Sequence, residues 1–580
     1  MAAGSGKERW KATLLRMDED TPFFWMNGLL ATEFLEVTSD IKKVDRGGFW
    51  AISISFEGHA IFARFGKVET DKEFPPANSW MKLDAVWQSS LEYEDFCSYV
   101  AEIRRLISLG VVYQANACRV LSTTIADVSL DSLFAELLEK NLAEHASFLR
   151  IPGLEVASAS PELFLLRDGR NIKTSPIKGT QGLDARWKFG AKDQSENTMI
   201  VDLMRNDLGR ICEVGSIEVS GFLRTENHPG VRHLVSDIEG LLRPNISWSE
   251  ITEALLPPGS VSGTPKSSAL EIIQANEPVA RDIYCGVLGW IEGECSTLSV
   301  AIRTFWQKDQ MLYFGTGGGI TWPSDPHAEW RETQLKANRL VGIAGGVDAE
   351  GWQFGSGIFE TILLQEGIPI LFNRHVERAE KSARELSIDI PSRAEILRAI
   401  NNLDKPPLAR LRLSFGRQFS LSVAPYERSR TPIRVGLKRT DSRPGIGEHK
   451  RFPYWENLDL VRGANQDGFD EVLLIDSDGV VGEGATCNFL FKIAGEWVTP
   501  PISSGVLPGI MRGLALELGL AKESTITAVD LNNLESMVAL SSLRICSPVS
   551  MLGERELVVT KEIESFFDIL WAATQADSIG

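Results

Sequence analysis

The sequence predicts a protein of two α/β domains, and three observations support this. The chain has 580 residues, more than the roughly 100–200 that one domain usually organises. Strand-like and helix-like segments alternate along most of it, and the pattern changes after a Gly-rich segment at 341–350. A hydrophobic fraction of 43% and a charged fraction of 24% are typical of a globular protein.

The first domain begins with two β-like runs, FWAISISF (49–56) and HAIFARFG (59–66). The segment YEDFCSYVAEIRRLISLG then has apolar residues at helical spacing, and Gly110 is placed to end that helix. Strand and helix signals alternate from 113 to 340, and a second long helix is expected after His327.

The segment VGIAGGVDAE is small, Gly-rich and aperiodic. We therefore predict the boundary here, with domains at 1–345 and 346–580. In the second domain FETILLQEGIPILF predicts two strands joined by a tight turn at 365–367. RHVERAEKSARELSI predicts an amphipathic helix.

The formal net charge is −18, which disfavours nucleic acid as a partner and requires a local basic pocket for any anionic substrate. The seven cysteines form no CxxC pair, so neither a disulfide framework nor a structural zinc site is indicated. Because no signal peptide and no span of ~20 apolar residues is evident, we expect a cytoplasmic protein without a membrane partner.

Several acidic residues are spaced so that they share a helix face. Glu329, Glu332 and Lys336 follow i, i+3 and i+4 spacing, and a solvated ladder of salt bridges is the alternative interpretation. Glu196 lies near the start of another helix that ends at Gly209. Carboxylates brought together from separate helices suit Mg²⁺, which prefers oxygen ligands.

Two further features of the first domain suit an anionic ligand. The run Gly317-Gly318-Gly319 allows backbone N–H groups to approach an anion closely, although a plain turn has the same composition. Lys178 lies between an isoleucine and a glycine, where a surface lysine is the alternative. Singly, each of these signals is weak.

Taken together, the motifs between about residues 90 and 340 resemble the chorismate-utilising enzymes, which include anthranilate synthase, isochorismate synthase and aminodeoxychorismate synthase component I. Eight motifs occur in the family's order: Tyr113-Gln114-Ala115-Asn116, Ser160-Pro161-Glu162, VDLMRNDLGR, His233-Leu234-Val235-Ser236, GSVSGTPK, IRT, GTGGGI and AEWRET. The resemblance implies an α/β sandwich of two large β-sheets with helices outside.

The resemblance also implies roles for individual residues. It gives Mg²⁺ as the cofactor, with Glu196, Glu329 and Glu332 as its ligands. Chorismate would be held by Thr180, Tyr284, Arg303, Gly317, Gly318, Gly319 and Lys336. His233 would lie near the ring hydroxyl that leaves, and Glu162 would act as an acid or base.

Lys178 distinguishes between subfamilies. Anthranilate synthases typically carry Ala in this motif, whereas aminodeoxychorismate synthases carry Lys. A neutral lysine amine near the ring can attack it and expel the 4-hydroxyl, after which ammonia displaces the lysine. We therefore favour amination at the 4-position over an anthranilate synthase. The family implies a separate glutamine amidotransferase partner as the ammonia source.

The second domain resembles the class IV aminotransferase-like pyridoxal-phosphate enzymes, and within them aminodeoxychorismate lyase. The matching segments are FGSGIFETILL, RHVER, GEHKRFPYWENL, DEVLLIDSDGVVGEGATCNFLF and GVLPGIMR. The resemblance implies two α/β subdomains with pyridoxal 5′-phosphate between them, and a homodimer.

Five residues of the second domain would hold that cofactor. Lys450 would bind its aldehyde carbon, and Glu483 would hydrogen-bond the protonated pyridine nitrogen. Ile510 and Met511 would donate backbone N–H groups to the phosphate from the start of a helix, and Arg378 would add charge-assisted contacts.

The two resemblances together predict a bifunctional enzyme that makes 4-aminobenzoate for folate synthesis. Fusion supports the lyase assignment only by association. An amino-acid transaminase is therefore an alternative for the second domain. So is a degenerate binding module, because the strand that normally opens this family is truncated here.

Overall fold

The computed structural model shows two compact units, Met1–Ala349 and Glu350–Gly580. The residues that it describes are 21–125, 128–141, 143–182, 190–228, 231–348, 354–403, 405–416, 419–429, 431–440 and 447–577.

The helices of the first unit follow the predicted periodicity. They are α1 (Ile41–Val44), α2 (Tyr93–Ser108), α3 (Asp131–Lys140), α4 (Ala191–Gly209), α5 (Trp248–Leu255), α6 (Lys266–Asn276) and α7 (Pro326–Ala344). Helix α2 buries Phe96, Val100 and Ile103 on one face, and Gly110 follows its C-cap with φ +73°, where a glycine is the favoured residue. The predictions of α2 and α7 are confirmed.

Among the described residues of the first unit, nineteen strands are linked by hydrogen-bonded pairs. They are β1 (Phe23–Met26), β2 (Leu29–Thr38), β3 (Phe49–Ile54), β4 (Ala60–Glu69), β5 (Leu83–Ser89), β6 (Gln114–Thr124), β7 (His145–Ile151), β8 (Leu154–Ser160), β9 (Leu163–Asp168), β10 (Asn171–Ser175), β11 (Ile177–Gly182), β12 (Glu218–His228), β13 (Val231–Leu241), β14 (Gly263–Thr264), β15 (Val287–Glu292), β16 (Cys295–Val300), β17 (Thr304–Lys308), β18 (Met311–Ile320) and β19 (Gly345–Asp348). The sheets predicted for this unit are continuous with each other, because long strands have several partners. Strand β6 pairs with β5, β14 and β18, and β13 pairs with β10, β11 and β12.

The segment 341–350 is not simply the aperiodic linker that its composition predicts. Its first residues complete α7, and β19 then pairs in parallel with β5. The glycines serve close packing: a Cβ on Gly345 would lie 2.7 Å from the backbone nitrogen of Leu83. Their φ angles of +97° and +88° at Gly345 and Gly346 also favour glycine. Small residues here therefore reflect tight strand pairing.

The second unit contains two separate sheets, in agreement with the two subdomains expected of its family. One comprises β20 (Gly357–Gln365), β21 (Ile368–Pro369), β22 (Leu408–Phe415), β23 (Phe419–Pro425) and β25 (Arg451–Phe452). The other comprises β24 (Ile433–Thr440), β26 (Glu471–Asp476), β27 (Val481–Gly484), β28 (Asn488–Ile493), β29 (Glu496–Thr499), β30 (Lys522–Glu523), β31 (Leu534–Ser541), β32 (Ile545–Leu552) and β33 (Arg555–Glu556).

The helices of the second unit are α8 (Phe372–Leu386), α9 (Arg393–Asn401), α10 (Trp455–Gln466), α11 (Ile510–Glu517) and α12 (Lys561–Asp577). The predicted amphipathic helix is α8, which buries His375, Val376 and Ala379. The predicted turn between β20 and β21 is confirmed by positive φ angles at Glu366 and Gly367. The mixed α/β class predicted for the chain is likewise confirmed. Within the described residues, no helix is both long and apolar enough to cross a membrane.

Two candidate active sites

A cavity of about 450 Å³ in the first unit collects most of the residues predicted for that domain. Its floor is the antiparallel pair of β6 and β18, in which Gly318 lies opposite Ala117. The predicted residues that line it are Glu162, Lys178, Glu196, His233, Tyr284, Arg303, Gly317, Gly318, Gly319, Glu332 and Lys336. Thr180 pairs with His233 in the sheet, but its side chain lies outside the described residues.

The Gly318 position is where three predicted side chains of α7 meet. A Cβ built on Gly318 would lie 3.4 Å from Glu329 Oε2, 3.5 Å from Glu332 Oε1 and 3.8 Å from Lys336 Nζ. Lys336 also forms an ion pair with Glu332 at 2.7 Å and donates to the Gly317 carbonyl at 2.9 Å. The predicted shared helix face is confirmed, and Glu329 on it is buried. The salt-bridge alternative holds for Glu332 and Lys336, which form an i, i+4 ion pair and are about half exposed, but not for the buried Glu329.

The third predicted metal ligand, Glu196, comes from α4 and accepts a hydrogen bond from the Thr321 hydroxyl at 3.4 Å. It lines the same cavity as Glu332. Among the described residues, no three His, Cys, Asp or Glu side chains already converge on a point where a metal ion could be held.

Lys178 is held by a residue that the sequence did not single out. Its Nζ donates to the Ser260 carbonyl at 2.8 Å, and the Ser260 hydroxyl is close enough to Glu162 to lower the pKa of that carboxyl group. Ser260 lies in the 3₁₀ turn Gly259–Val261, within the GSVSGTPK motif. One turn therefore positions both the predicted nucleophile and the predicted acid or base.

Burial shifts both titratable groups toward their neutral forms. It raises the pKa of Glu162 to about 7, against the opposing effects of the Ser260 hydroxyl, Lys178 and Arg303. It also lowers the pKa of Lys178, against the attraction of Glu196 and Glu162. Both shifts favour the neutral forms, which are an amine with a free lone pair on Lys178 and a protonated carboxyl group on Glu162.

Arg303 has a backbone conformation that a non-glycine residue rarely adopts. Its φ is +53°, and its carbonyl accepts a hydrogen bond from the Ala159 N–H at 3.1 Å. Such strain often persists at functional sites. The guanidinium of Arg303 lines the cavity. Because the chain has a net charge of −18, a site for an anionic substrate needs such a local positive charge.

Arg281 connects three segments beside this cavity. Its guanidinium donates to the carbonyls of Val261 and Asn116 at 2.8 and 2.9 Å and pairs with Glu277 at 2.6 Å. Arg281→Met leaves the Glu277 carboxylate buried without its partner, so we expect a loss of about 3–5 kcal/mol in the free energy of unfolding of the first unit.

Urea denaturation followed by circular dichroism measures that loss. Arg105→Met is the control, because the Arg105–Glu102 pair is largely exposed and its removal should change little. Indistinguishable unfolding curves for Arg281→Met and the wild type would contradict this assignment.

A second cavity, of about 330 Å³, lies within the second unit and contains all five cofactor-binding residues predicted there: Arg378, Lys450, Glu483, Ile510 and Met511. Lys450 Nζ lies 4.6 Å from the ring centroid of Phe359 and 5.0 Å from that of Tyr454. Burial, with a smaller contribution from Arg378, lowers the pKa of Lys450 to about 8. Lys450 therefore lines the cavity and is not a lysine of the open surface.

Glu483 is held by donors from two directions. The Asn488 amide and the Leu507 backbone N–H donate to its Oε2 at 2.9 and 3.0 Å. Burial raises the pKa of Glu483 to about 8. Such a carboxyl group ionises readily only when a cation lies beside it, and a protonated pyridine nitrogen is one.

The predicted LPGI turn enters a helix as expected, with Gly509 as the N-cap of α11. Gly509 is required by close approach, since a Cβ there would lie 1.8 Å from the Asn488 Oδ1. Arg378 donates to the Pro508 carbonyl of this turn at 3.0 Å, so its guanidinium lies next to the N-terminus of α11. Backbone N–H groups and a guanidinium are donors suited to a phosphate.

The sequence did not identify the two buried residues that hold Arg378. Glu360 accepts from Arg378 Nε at 2.8 Å and from Nη2 at 2.6 Å, and it bonds His375 Nδ1 at 2.7 Å. Burial alone would raise the pKa of Glu360, but Arg378 and His375 lower it to about 2. A glutamate within the apolar strand β20 was the available signal, since a buried carboxylate needs a cationic partner.

Comparison with known proteins assigns a family model to each unit. Residues 63–342 match the model of the chorismate binding enzymes, and residues 357–552 match the class IV amino-transferase model. The menaquinone-specific isochorismate synthase of Escherichia coli, at 17% identity, covers 58% of this chain and 92% of its own with a TM-score of 0.50. That likeness concerns the fold.

Two curated relatives carry different names. Aminodeoxychorismate synthase component 1 of Escherichia coli is 33% identical over 312 residues, 50% of this chain and 68% of the relative. An anthranilate synthase component 1 of Haloarcula marismortui is 35% identical over 270 residues, 44% of this chain and 55% of the relative. The two matches therefore span 68% and 55% of the length of these relatives.

Proposed function

Because the chain belongs to the chorismate binding enzymes, we propose that its first unit aminates chorismate at C4 to 4-amino-4-deoxychorismate. The second unit then eliminates pyruvate from that product and releases 4-aminobenzoate, the aromatic precursor of folate. An anthranilate synthase component is the second candidate, since a relative with that name matches the same unit.

The observation that carries this proposal is the position of Lys178. Its amine lies in the cavity beside Glu162 and is bonded to the Ser260 carbonyl, and burial lowers its pKa. These features favour a neutral amine with a lone pair for attack on the substrate ring. An alanine, which the anthranilate synthases typically have here, could not act in this way.

The proposed reaction consists of two substitution steps at the ring of chorismate. A bond forms between Lys178 Nζ and a ring carbon as the C4–O bond breaks, and Glu162 gives its proton to the hydroxyl, which leaves as water. Ammonia then forms the C4–N bond, the bond to Lys178 breaks, and the released proton returns to Glu162. His233 lies near the leaving hydroxyl, while Arg303 and the N–H groups of the glycine run hold carboxylates of chorismate.

Magnesium is the cofactor proposed for the first unit. The oxygens of Glu329 and Glu332 approach the same point above Gly318, and Glu196 lines that cavity, so the available donors are the carboxylate oxygens that Mg²⁺ prefers. When bound, Mg²⁺ would supply a positive charge to which a carboxylate of the substrate can bind. Tyr284 and Lys336 complete the proposed surroundings of the substrate.

Pyridoxal 5′-phosphate is the cofactor implied by the class IV domain, and the second cavity offers matching groups. Lys450 would anchor it, Glu483 would meet its ring nitrogen, and Arg378 with the N–H groups of Ile510 and Met511 would hold its phosphate. When bound, the group supplies an electron-accepting ring that eases proton loss beside the substrate amine. Lys450, once freed by the substrate, is the base placed to move that proton.

The proposal includes partners that follow from the family. A separate glutamine amidotransferase would supply ammonia, with free ammonium as the substitute in an assay. The second unit would form a homodimer, in a cytoplasmic and reducing compartment. The seven cysteines all lie among the described residues and form no disulfide.

Removal of each cofactor tests the assignment of reactions to units. We expect EDTA to stop chorismate consumption, because amination needs the metal site. Removal of pyridoxal phosphate should leave amination intact and cause 4-amino-4-deoxychorismate to accumulate, as chromatography of the products would show. Formation of 4-aminobenzoate at an undiminished rate without the cofactor would contradict the proposal.

The pH dependence of amination tests the role of Glu162. Since burial raises its pKa to about 7, the carboxyl group is protonated below that pH and ionised above it. We expect kcat/KM for amination to fall as pH rises through about 7. Glu162→Gln should lower the rate by about 10²–10⁴-fold and remove this alkaline limb. An unchanged limb in Glu162→Gln would exclude Glu162 as the proton donor.

A further inference from the structure

The cavity of the second unit carries more positive charge than its cofactor needs. Its lining includes five basic side chains, Arg378, Arg410, Arg412, Lys450 and Arg544, and one acidic side chain, Glu483. This concentration is unusual in a chain with a net charge of −18. Guanidinium groups around a water-poor cavity need anionic partners to offset the loss of hydration.

Arg378 and Lys450 already have proposed roles. Arg378 is paired with Glu360 and lies at the Pro508 turn, while Lys450 anchors the cofactor. The other three arginines belong to different elements: Arg410 and Arg412 to β22, and Arg544 to the turn after β31. These elements differ from α8 and the Pro508 turn, which supply the donors proposed for the phosphate.

The direction of Arg410 and Arg412 follows from strand alternation. Ala409, Leu411 and Leu413 of β22 pack in a hydrophobic core, so the residues between them face the opposite side of the sheet. That side lines the cavity. Arg412 is 6% exposed, and an arginine so deeply buried is not explained by a solvated sheet face.

Arg412 is close to the reacting lysine. In the sheet it lies opposite Thr361. Phe359 is two residues before Thr361 on the same strand, and its ring contacts Lys450. The guanidinium of Arg412 also contributes, after burial and Arg378, to lowering the pKa of Lys450. Arg410 is two residues, or about 7 Å, further along the strand.

In the described part of the chain, Arg410 and Arg544 are not held by a direct carboxylate partner, although the charge of Arg544 acts to lower the pKa of the buried Glu471. Among the described residues neither forms an ion pair, and the Nη1 of Arg544 is buried without a hydrogen-bond partner. Arg544 enters the cavity from the sheet that contains β31. The arginines therefore face the cavity from both sheets of the unit.

We propose that Arg410, Arg412 and Arg544 form a subsite that selects a substrate with two carboxylates, and that they are specificity-determining residues of the second unit. Arg410 and Arg412 are two residues apart on one strand, and Arg544 belongs to the other sheet. A single carboxylate cannot easily form ion pairs with all three guanidinium groups. The inference rests on the proposed function, since 4-amino-4-deoxychorismate carries one carboxylate on its ring and one on its side chain. An amino acid with an apolar side chain would offer no second carboxylate to Arg410 and Arg544.

Ligand binding to the full-length holoenzyme tests the subsite without turnover. Isophthalate, with two carboxylates on a ring, and benzoate, with one, are titrated while the visible absorbance of the bound cofactor is followed. This signal reports on the second unit alone. We expect isophthalate to bind at least about tenfold more tightly than benzoate, and Arg412→Met and Arg544→Met each to weaken isophthalate binding by about tenfold to a hundredfold.

Arg393→Met is the control, because Arg393 is exposed on α9 and pairs with Glu380; its isophthalate binding should match the wild type. Arg410→Met, at a partly exposed position, gives the same test if Arg412→Met does not retain the cofactor. Equal binding of the two acids, or wild-type isophthalate binding in Arg410→Met and Arg544→Met, would overturn the subsite.

The failure of the subsite and that of the lyase are distinguishable. A wild-type enzyme that makes no 4-aminobenzoate but binds isophthalate through these arginines refutes the lyase and supports the dicarboxylate subsite. Arginine variants that convert 4-amino-4-deoxychorismate with an unchanged KM refute the subsite and support the lyase.

Discussion

Lys178→Ala is expected to reduce amination of chorismate at C4 by at least about a thousandfold. The variant removes the amine that forms the bond to the ring, and loss of a covalent nucleophile costs orders of magnitude in rate. Its neighbours Glu162 and Ser260 remain, so chorismate should still bind with a similar dissociation constant. The measurement is the initial rate of 4-amino-4-deoxychorismate formation with saturating ammonium and Mg²⁺.

Lys308→Ala is the matched control for this prediction. Lys308 is an exposed residue of β17, and it does not line the cavity that contains Lys178. Its replacement removes an amine of the same kind without changing the site. Amination by Lys178→Ala at a rate close to that of Lys308→Ala would mean that ammonia attacks chorismate directly.

Lys450→Ala is expected to stop the sequence at 4-amino-4-deoxychorismate. The variant loses both the cofactor anchor and the base beside it, so formation of 4-aminobenzoate should fall by about a thousandfold or more. Amination should continue at the wild-type rate, because Lys450 lies in the other unit. The two products are separated and quantified by chromatography with chorismate as the substrate.

The control is Lys438→Ala, since Lys438 is exposed on β24 of the same unit. It should produce 4-aminobenzoate as the wild type does. If Lys450→Ala produced it equally well, the second unit would not be the lyase. A loss of amination in Lys450→Ala would show instead that the substitution disturbs the whole chain.

Local patterns were sufficient for several elements of the fold. Apolar residues at helical spacing predicted α2, and acidic residues at i and i+3 predicted the shared face of α7. The segment 341–350 was misleading, because a glycine that allows two strands to approach closely has the same composition as a linker. Only the pairing of β19 with β5 distinguishes the two.

Spacing alone could not place the sites. Lys178, Glu162 and Arg303 are far apart in sequence, and the sheet of the first unit brings them to one cavity; the ordered motifs supported that grouping through the family resemblance. The contact of Lys178 with the Ser260 carbonyl could not be predicted. Every residue has a backbone carbonyl, so the residue types do not show which one accepts the hydrogen bond. The glutamate within the apolar strand β20 indicated that Glu360 needs a cationic partner, but its pairing with Arg378 depends on tertiary packing.

The central claim is that one chain makes 4-aminobenzoate from chorismate, and the identity of the aromatic product tests it most directly. Purified wild-type protein is incubated with chorismate, ammonium, Mg²⁺ and pyridoxal phosphate, and the products are identified by chromatography and mass spectrometry. We expect 4-aminobenzoate and pyruvate in equal amounts, with 4-amino-4-deoxychorismate as the transient intermediate. Anthranilate as the product would contradict this claim.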